Sequence, residues 1–195
     1  AIVGAGPAGL TAAFDLAKKG YKVTIFESSP EPGGMMRKGI PSFRLDKDIL
    51  REEIRTLEDA GIEIKYNMTV GKNPTIEDLI DDDYEAVLLA VGAQKGTKLP
   101  IEKNYAEMVY DAVNLMENVN AETPVDIGEK AVIIGAGSVA VDTARALLRL
   151  GVKEATCVCI EDDNTIPAPC GEVEEAKEEG VKFITSAAPT KIKAE

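Results

Sequence analysis

The sequence predicts an α/β chain of two parallel-sheet domains in tandem, and three observations carry that. Short apolar runs of strand length alternate with amphipathic stretches of helical spacing along most of the chain, the pattern of parallel sheets covered by helices. Glycine-rich turns join strand to helix twice, at Gly4-Ala5-Gly6-Pro7-Ala8-Gly9 and at Gly135-Ala136-Gly137-Ser138-Val139-Ala140. The two stretches are copies: a shift of 131 carries Gly4, Gly6, Gly9 and Gly20 onto Gly135, Gly137, Ala140 and Gly151.

The elements follow in order. A strand begins at Ala1, without the residues that usually precede one, so the chain reads as a fragment truncated at both ends. A helix is expected over residues 7–19, with Leu10, Ala13, Phe14 and Ala17 on one face and Gly20 as its stop. A strand over 21–26 follows, rich in β-branched and aromatic residues. Asp46 caps a helix over 47–60 that Gly61 ends. Next come a short strand near 62–66, a small helix near 75–80, and a core-length apolar strand over 86–91 closed by Gly92. A helix over 105–119 leads through Pro124 and Gly128 to the second copy, with its strand at 131–134, helix at 138–150 and next strand at 155–159. An acidic helix over 171–179 and a strand over 181–184 complete the chain. A boundary near Gly96 divides it into residues 1–96 and 97–195.

Bulk properties narrow the chemistry. In 195 residues, 34 acidic and 22 basic side chains leave a net charge of -12, a field that repels nucleic-acid backbones. No apolar run is long enough for a membrane span. Three cysteines without a Cys-x-x-Cys pair make neither a disulfide framework nor a zinc site, so a reducing, cytoplasmic setting is expected. There is no histidine, which excludes a histidine-based triad within the chain.

The glycine turns carry the functional signal. In the first, Gly4 permits a tight turn, Gly6 lets backbone approach a pyrophosphate, and Gly9 allows the helix to pack closely on the strand. The pyrophosphate then meets free N–H groups and a positive helix end. Glu27 closes the second strand 23 residues after Gly4, where an acid accepts hydrogen bonds from ribose hydroxyls. Strand, motif, helix and acid in register make a Rossmann-type dinucleotide site. In the second copy alanine replaces the third glycine, which the motif tolerates. Gly135, Gly137, Ser138, Val139 and Ala140 are the expected contacts there. Cys159 stands at the end of the second strand, where Glu27 stands in the first copy, and Glu161 is the nearest acid. Asp142 reads as a favourable charge in the first turn of the helix, Cys157 and Cys159 as small core residues on one strand face, and Cys170 as a loop residue.

The runs Gly33-Gly34-Met35, Gly39-Ile40-Pro41 and Phe43-Arg44-Leu45 resemble the flavoprotein subunit of glutamate synthase. Its relatives include the flavin portion of dihydropyrimidine dehydrogenase and NAD(P)H–ferredoxin oxidoreductases. The order of Glu27, Pro32-Gly33-Gly34, Val91-Gly92-Ala93 and a second glycine motif is similar too, as is Pro167-Ala168 followed by Glu172-Val173-Glu174-Glu175-Ala176. The resemblance implies FAD in the first domain, with contacts at Gly4, Gly6, Pro7, Ala8, Gly9, Glu27, Gly33, Gly34, Arg44, Val70 and Gly92. It implies NAD(P)H in the second domain and hydride transfer to FAD. Electrons would then pass to iron–sulfur clusters on absent segments, an iron–sulfur protein or a larger catalytic subunit.

Two departures stand out. Family members that use NADPH carry two arginines directly after the second nucleotide strand; here Ile160 and Glu161 stand there, followed by Asp162 and Asp163, which favours NADH. The chain also lacks the family's late Gly-Asp motif and its cysteine-rich N-terminal iron–sulfur region. The rival readings are a thioredoxin-reductase-like disulfide reductase, which needs a Cys-x-x-Cys that residues 135–195 lack, and a non-catalytic nucleotide-binding subunit.

Overall fold

Parallel pairing of short apolar strands builds two separate sheets, one in each half of the chain. A computed structural model describes residues 1–96 and 109–192, divided into two units, Ala1–Gln94 and Lys95–Glu195.

The first unit runs β1 (Ile2–Val3), α1 (Pro7–Lys18), β2 (Thr24–Phe26), α2 (Met35–Lys38), α3 (Lys47–Asp59), β3 (Glu63–Lys65), α4 (Ile76–Asp81) and β4 (Leu88–Leu89), with sheet order β3-β2-β1-β4 and every pair parallel. Ile2 and Ile25 are paired in register and fully buried. Leu10 and Ala13 of α1 and Leu50 and Ile54 of α3 pack over them. Each leucine or isoleucine side chain so removed from water contributes about 1.5–3 kcal/mol. The other face carries Val3, Phe26 and Leu79, with Met68, Val70 and Tyr84 against them. Caps set the helix starts. Asp46 accepts from the N–H groups of Asp48 and Ile49, and Thr75 and Asp78 form a reciprocal capping box.

Several expectations for this unit need correction. Phe14 is 43% exposed, its ring lying under the Lys18 ammonium, so α1 buries a narrower stripe than its periodicity suggests. The strand expected over 21–26 begins only at Thr24, because the Tyr21 N–H is spent on the Leu16 carbonyl at the end of α1. The apolar run at 86–91 yields only the two-residue β4, and both its leucines are exposed because β4, among the described residues, is an edge strand paired with β1 alone. Helix α2 was not expected at all.

The second unit runs α5 (Ala112–Asn120), β5 (Lys130–Ile134), α6 (Ser138–Arg149), β6 (Glu154–Val158), α7 (Cys170–Glu178) and β7 (Lys182–Ile184), with parallel order β5-β6-β7. Val141, Ala144 and Leu147 of α6, Val173 and Ala176 of α7 and Leu115 of α5 pack around Ile133, Ala155 and Cys157. Of the helix expected over 105–119, residues 105–108 lie outside the described residues. The described helix starts at Ala112, where Asp111 caps it. Asp142 is the fifth residue of α6 and buried, so it belongs to the second turn and not, as expected, to the first. Cys170 opens α7 and is not a loop residue.

Candidate functional site

Parallel strands that start together also end together, and ligands of such sheets bind beyond their carboxyl ends. In the first unit Gly4 follows β1, Glu27 follows β2, Val70 lies beyond β3 and Gly92 beyond β4. The structure therefore brings these residues to one edge. Val70 is half-buried against the Val3 cluster, and Gly92 turns the chain at φ +67°. Arg44 is exposed in the turn between α2 and α3, its N–H bonded to the Pro41 carbonyl.

The motif glycines differ in what the fold requires of them. Gly4 sits at φ +105°, and a Cβ there would lie 2.5 Å from the Ala90 carbonyl oxygen. A Cβ on Gly9 would lie 2.0 Å from the Gly4 carbonyl oxygen, so α1 reaches its strand only without a side chain at that point. Gly6 has no such reason. Its φ of -81° and ψ of -177° suit any residue, and the nearest atom to a Cβ would be Gly34 Cα at 3.9 Å. As the N-cap of α1 it supplies no side-chain acceptor, which leaves the first N–H groups of the helix to an anion.

The Gly33-Gly34 pair packs on this loop. The Gly33 N–H donates to the Ala5 carbonyl at 2.8 Å, and a Cβ on Gly34 would lie 2.9 Å from Gly6 Cα. Their φ values of +117° and +52° favour glycine. Glu27 is buried, and its carboxylate accepts the N–H groups of Ala5 at 2.8 Å and Ser29 at 2.7 Å.

The second unit repeats the wiring. Gly135 donates to the Val158 carbonyl as Gly4 does to that of Phe26, and Cys159 donates to Ile184 as Glu27 does to Lys65. Cys159 thus occupies the place of Glu27, with a buried thiol where the first unit has a carboxylate. The Ala168 N–H donates to the Ala136 carbonyl at 3.2 Å, repeating the contact from Gly33 to Ala5. Ala168 was not among the expected site residues, although Pro167-Ala168 was a sequence signal. Gly137, at φ -78° and ψ 172°, has nothing within 4 Å of a Cβ. It caps α6 without a side-chain acceptor, followed by Ser138 and an exposed Val139. Helix and strand stand farther apart here: the Ala140 Cβ lies 3.9 Å from a Cβ placed on Gly135, so alanine fits at the third position.

Beyond β6, Ile160 is 72% exposed. The half-buried Glu161 is fixed by its carbonyl, which accepts the Ser186 N–H at 2.7 Å. Asp162 turns inward on its own loop, accepting from the Asn164 N–H and the Thr165 hydroxyl. Of the acidic run, only Glu161 and Asp163 are not tied into that turn by their side chains. Burial pushes the Cys157 thiol up to about 12 and raises that of Cys159, so neither is a ready nucleophile. Among the described residues no group of three histidine, cysteine or acidic side chains is placed to hold a metal, and no helix is long and apolar enough to cross a membrane.

A family model described as pyridine nucleotide-disulphide oxidoreductase matches residues 1–195. The NAD-dependent dihydropyrimidine dehydrogenase subunit PreT of Escherichia coli is 41% identical over 98% of this chain and 46% of its own length. The small chain of NADPH glutamate synthase of Escherichia coli is 35% identical over 98% of this chain and 43% of its own. The chain thus spans a little under half the length of these curated relatives, and the resemblance expected from Gly33 to Leu45 is borne out. Mycobacterium tuberculosis FprA, solved in complex with NADPH, shares the fold at a TM-score of 0.84 and 22% identity, over 100% of this chain and 60% of its own.

Proposed function

The chain belongs to the pyridine nucleotide-disulphide oxidoreductase family, and on that premise we propose that it is the nucleotide–flavin module of an NAD(P)H-dependent oxidoreductase, with FAD in the first unit and NAD(P)H in the second. The observation that carries this reading is the pair Gly6 and Gly137. Both have ordinary extended backbone, and a Cβ on either would meet no atom closer than 3.9 Å. The fold does not demand glycine at these points, whereas a pyrophosphate lying on the backbone does. When bound, the two cofactors supply two-electron chemistry, the reduced nicotinamide giving hydride to the flavin.

The residues of the chain bind and orient. The starts of α1 and α6 face the pyrophosphates, and Gly33-Gly34 and Ala168 brace the two glycine loops. Glu27 holds the first loop through Ala5 and keeps acceptor capacity for one ribose hydroxyl, since a carboxylate has about four lone-pair sites and the Ala5, Ser28 and Ser29 donors take three. Glu161 is the nearest acid in the second unit, two residues beyond the place of Glu27. With Ile160 and Asp163 beside it, the rim of the second site favours NADH over NADPH. Electrons leave toward an iron–sulfur protein or a larger catalytic subunit. A disulfide reductase needs two accessible thiols in mutual reach. Here Cys157 and Cys159 are buried and only Cys170 is exposed, which disfavours that rival.

Flavin content tests the reading. Full-length protein is expected to carry about one FAD per chain and to be bleached by NADH, which also separates it from a passive nucleotide-binding subunit. Gly6→Val is expected to lose the flavin, because the branched side chain would occupy the space of the pyrophosphate. Gly137→Val is expected to keep the flavin and lose its reduction by NADH. Stoichiometric FAD in Gly6→Val would sink the assignment.

A further inference from the structure

The turn that carries Gly33 and Gly34 is held from behind by one guanidinium. Arg37 of α2 donates from Nε to the Pro32 carbonyl at 2.9 Å and pairs through Nη1 with Glu31. Its side chain is only 15% exposed, and its Nη2 is buried without a hydrogen-bond partner among the described residues. Arg37 also lies directly against the turn, since a Cβ on Gly33 would be 3.3 Å from its own Cβ. Glu31 takes a second cation, Arg51 of α3, at 3.4 Å, and Arg51 is bonded in turn to Asp48 at 2.7 Å. At the far end of α2, the Lys47 ammonium donates to the carbonyls of Met36 and Ile40. Both ends of the segment are therefore tied down by half-buried cationic donors.

A guanidinium buried with one nitrogen unsatisfied is a poor way to stabilise a fold, because an apolar side chain of similar volume does so at lower desolvation cost. The work it can do is conformational. Two successive glycines at positive φ have more freedom to lose than any other pair, and their placement matters because Gly33 is bonded to Ala5 and Gly34 touches Gly6. We propose that Arg37 is a positioning residue for the first dinucleotide site: it holds the Pro32-Gly33-Gly34 turn against the Gly4-to-Gly9 loop, and so sets how tightly the flavin dinucleotide is held. This rests on the reading of the first unit as the FAD site. A turn ordered before the ligand arrives spares the ligand that ordering cost, and the saving appears as affinity.

The test is FAD titration of full-length apoprotein, followed by quenching of flavin fluorescence, for the wild type, Arg37→Met and Arg37→Lys. NADH binding at the second unit is measured in parallel. Arg37→Met is expected to raise the FAD dissociation constant by about tenfold or more, the effect of losing one charge-assisted bond, with NADH binding unchanged. Arg37→Lys keeps a cationic donor for the Pro32 carbonyl and is expected to recover part of the loss. Wild-type affinity in Arg37→Met would overturn the proposal, as would an Arg37→Lys variant no better than Arg37→Met. Equal loss of FAD and NADH binding would show general damage to the fold and overturn it too. A wild-type protein that takes up no FAD would instead overturn the assignment of the site itself.

Discussion

The Glu27 carboxylate accepts the Ala5 N–H at 2.8 Å, which ties the carboxyl end of β2 to the middle of the first glycine loop. Its other oxygen takes the Ser29 N–H at 2.7 Å and the Ser28 hydroxyl at 3.3 Å. Backbone and hydroxyl donors thus satisfy this buried charge, and in doing so they shape the site. Glu27→Gln keeps the shape but turns an NH2 group toward one of the N–H donors, so one bond is lost and a buried donor is left facing it. The expected destabilisation is about 1–3 kcal/mol, read as a lower urea midpoint at unchanged slope, together with weaker FAD binding. An unchanged midpoint would show that neither N–H bond contributes.

The two glycine loops differ in how closely helix meets strand, and Gly9→Ala tests that difference. The added Cβ would lie 2.0 Å from the Gly4 carbonyl oxygen, a backbone atom that cannot swing aside. Overpacking of this kind costs about 3 kcal/mol or more. In the second unit the reverse change, Ala140→Gly, creates no clash and is expected to cost only about 1 kcal/mol through helix propensity. Thermal melts of the two variants are expected to differ clearly, Gly9→Ala melting far lower. Equal melting temperatures would mean that α1 can slide away from its strand.

Local chemistry made much of this legible in the sequence. The cap at Asp46, the glycine stops and the strand–turn–helix of each motif depend on near neighbours, and they appear where the pattern places them. Burial was less legible, because it depends on what packs against a residue. Phe14 sits at the edge of its stripe and β4 at the edge of its sheet, and neither fact is local. The bond from Ala168 to Ala136 escaped for a related reason. Gly33 follows Gly4 by 29 residues, whereas Ala168 follows Gly135 by 33, so the constant shift that exposes the repeat misses its second contact.

Docking of α7 on α6 depends on Arg145, whose side chain is 7% exposed and bonded to Glu175 at 2.9 Å and Glu179 at 2.6 Å. Arg145→Met is expected to destabilise the second unit by about 1.5–3 kcal/mol, the worth of its charge-assisted bonds, because both acids reach solvent and neither is left as a buried unpaired charge. Bonds from Arg145 first, and from Arg149 next, hold the Glu179 carboxyl down at about 2 against an ordinary 4.5. A folded-state pKa below the unfolded value stabilises fully above the unfolded value and loses that contribution as the group protonates. Urea midpoints are therefore expected to fall as pH drops from about 4.5 toward about 2, and to fall less steeply in Arg145→Met. Parallel pH profiles for the two proteins would show that this pair is not linked to folding.

Coenzyme preference turns on the rim beyond β6. Hydrogen bonds between Ser186 and Glu161 and between Ala187 and Cys159 fix the backbone there, so side chains at 160 and 161 project from a held frame. An acid can accept two hydrogen bonds from a ribose diol but repels a 2′-phosphate carrying up to two charges. Ile160, 72% exposed, offers that phosphate no donor. In stopped-flow reduction of the flavin, NADH is expected to be faster than NADPH at equal subsaturating concentration, by about tenfold or more if two charge-assisted contacts are absent. Replacing Ile160 and Glu161 by arginine supplies two bidentate donors on the same frame and is expected to move the preference toward NADPH without changing FAD content. Asp163 remains beside them, so a third change, Asp163→Asn, is expected to move it further. Equal rates for the two coenzymes in the wild type, or faster reduction by NADPH, would show that residues elsewhere read the 2′ position.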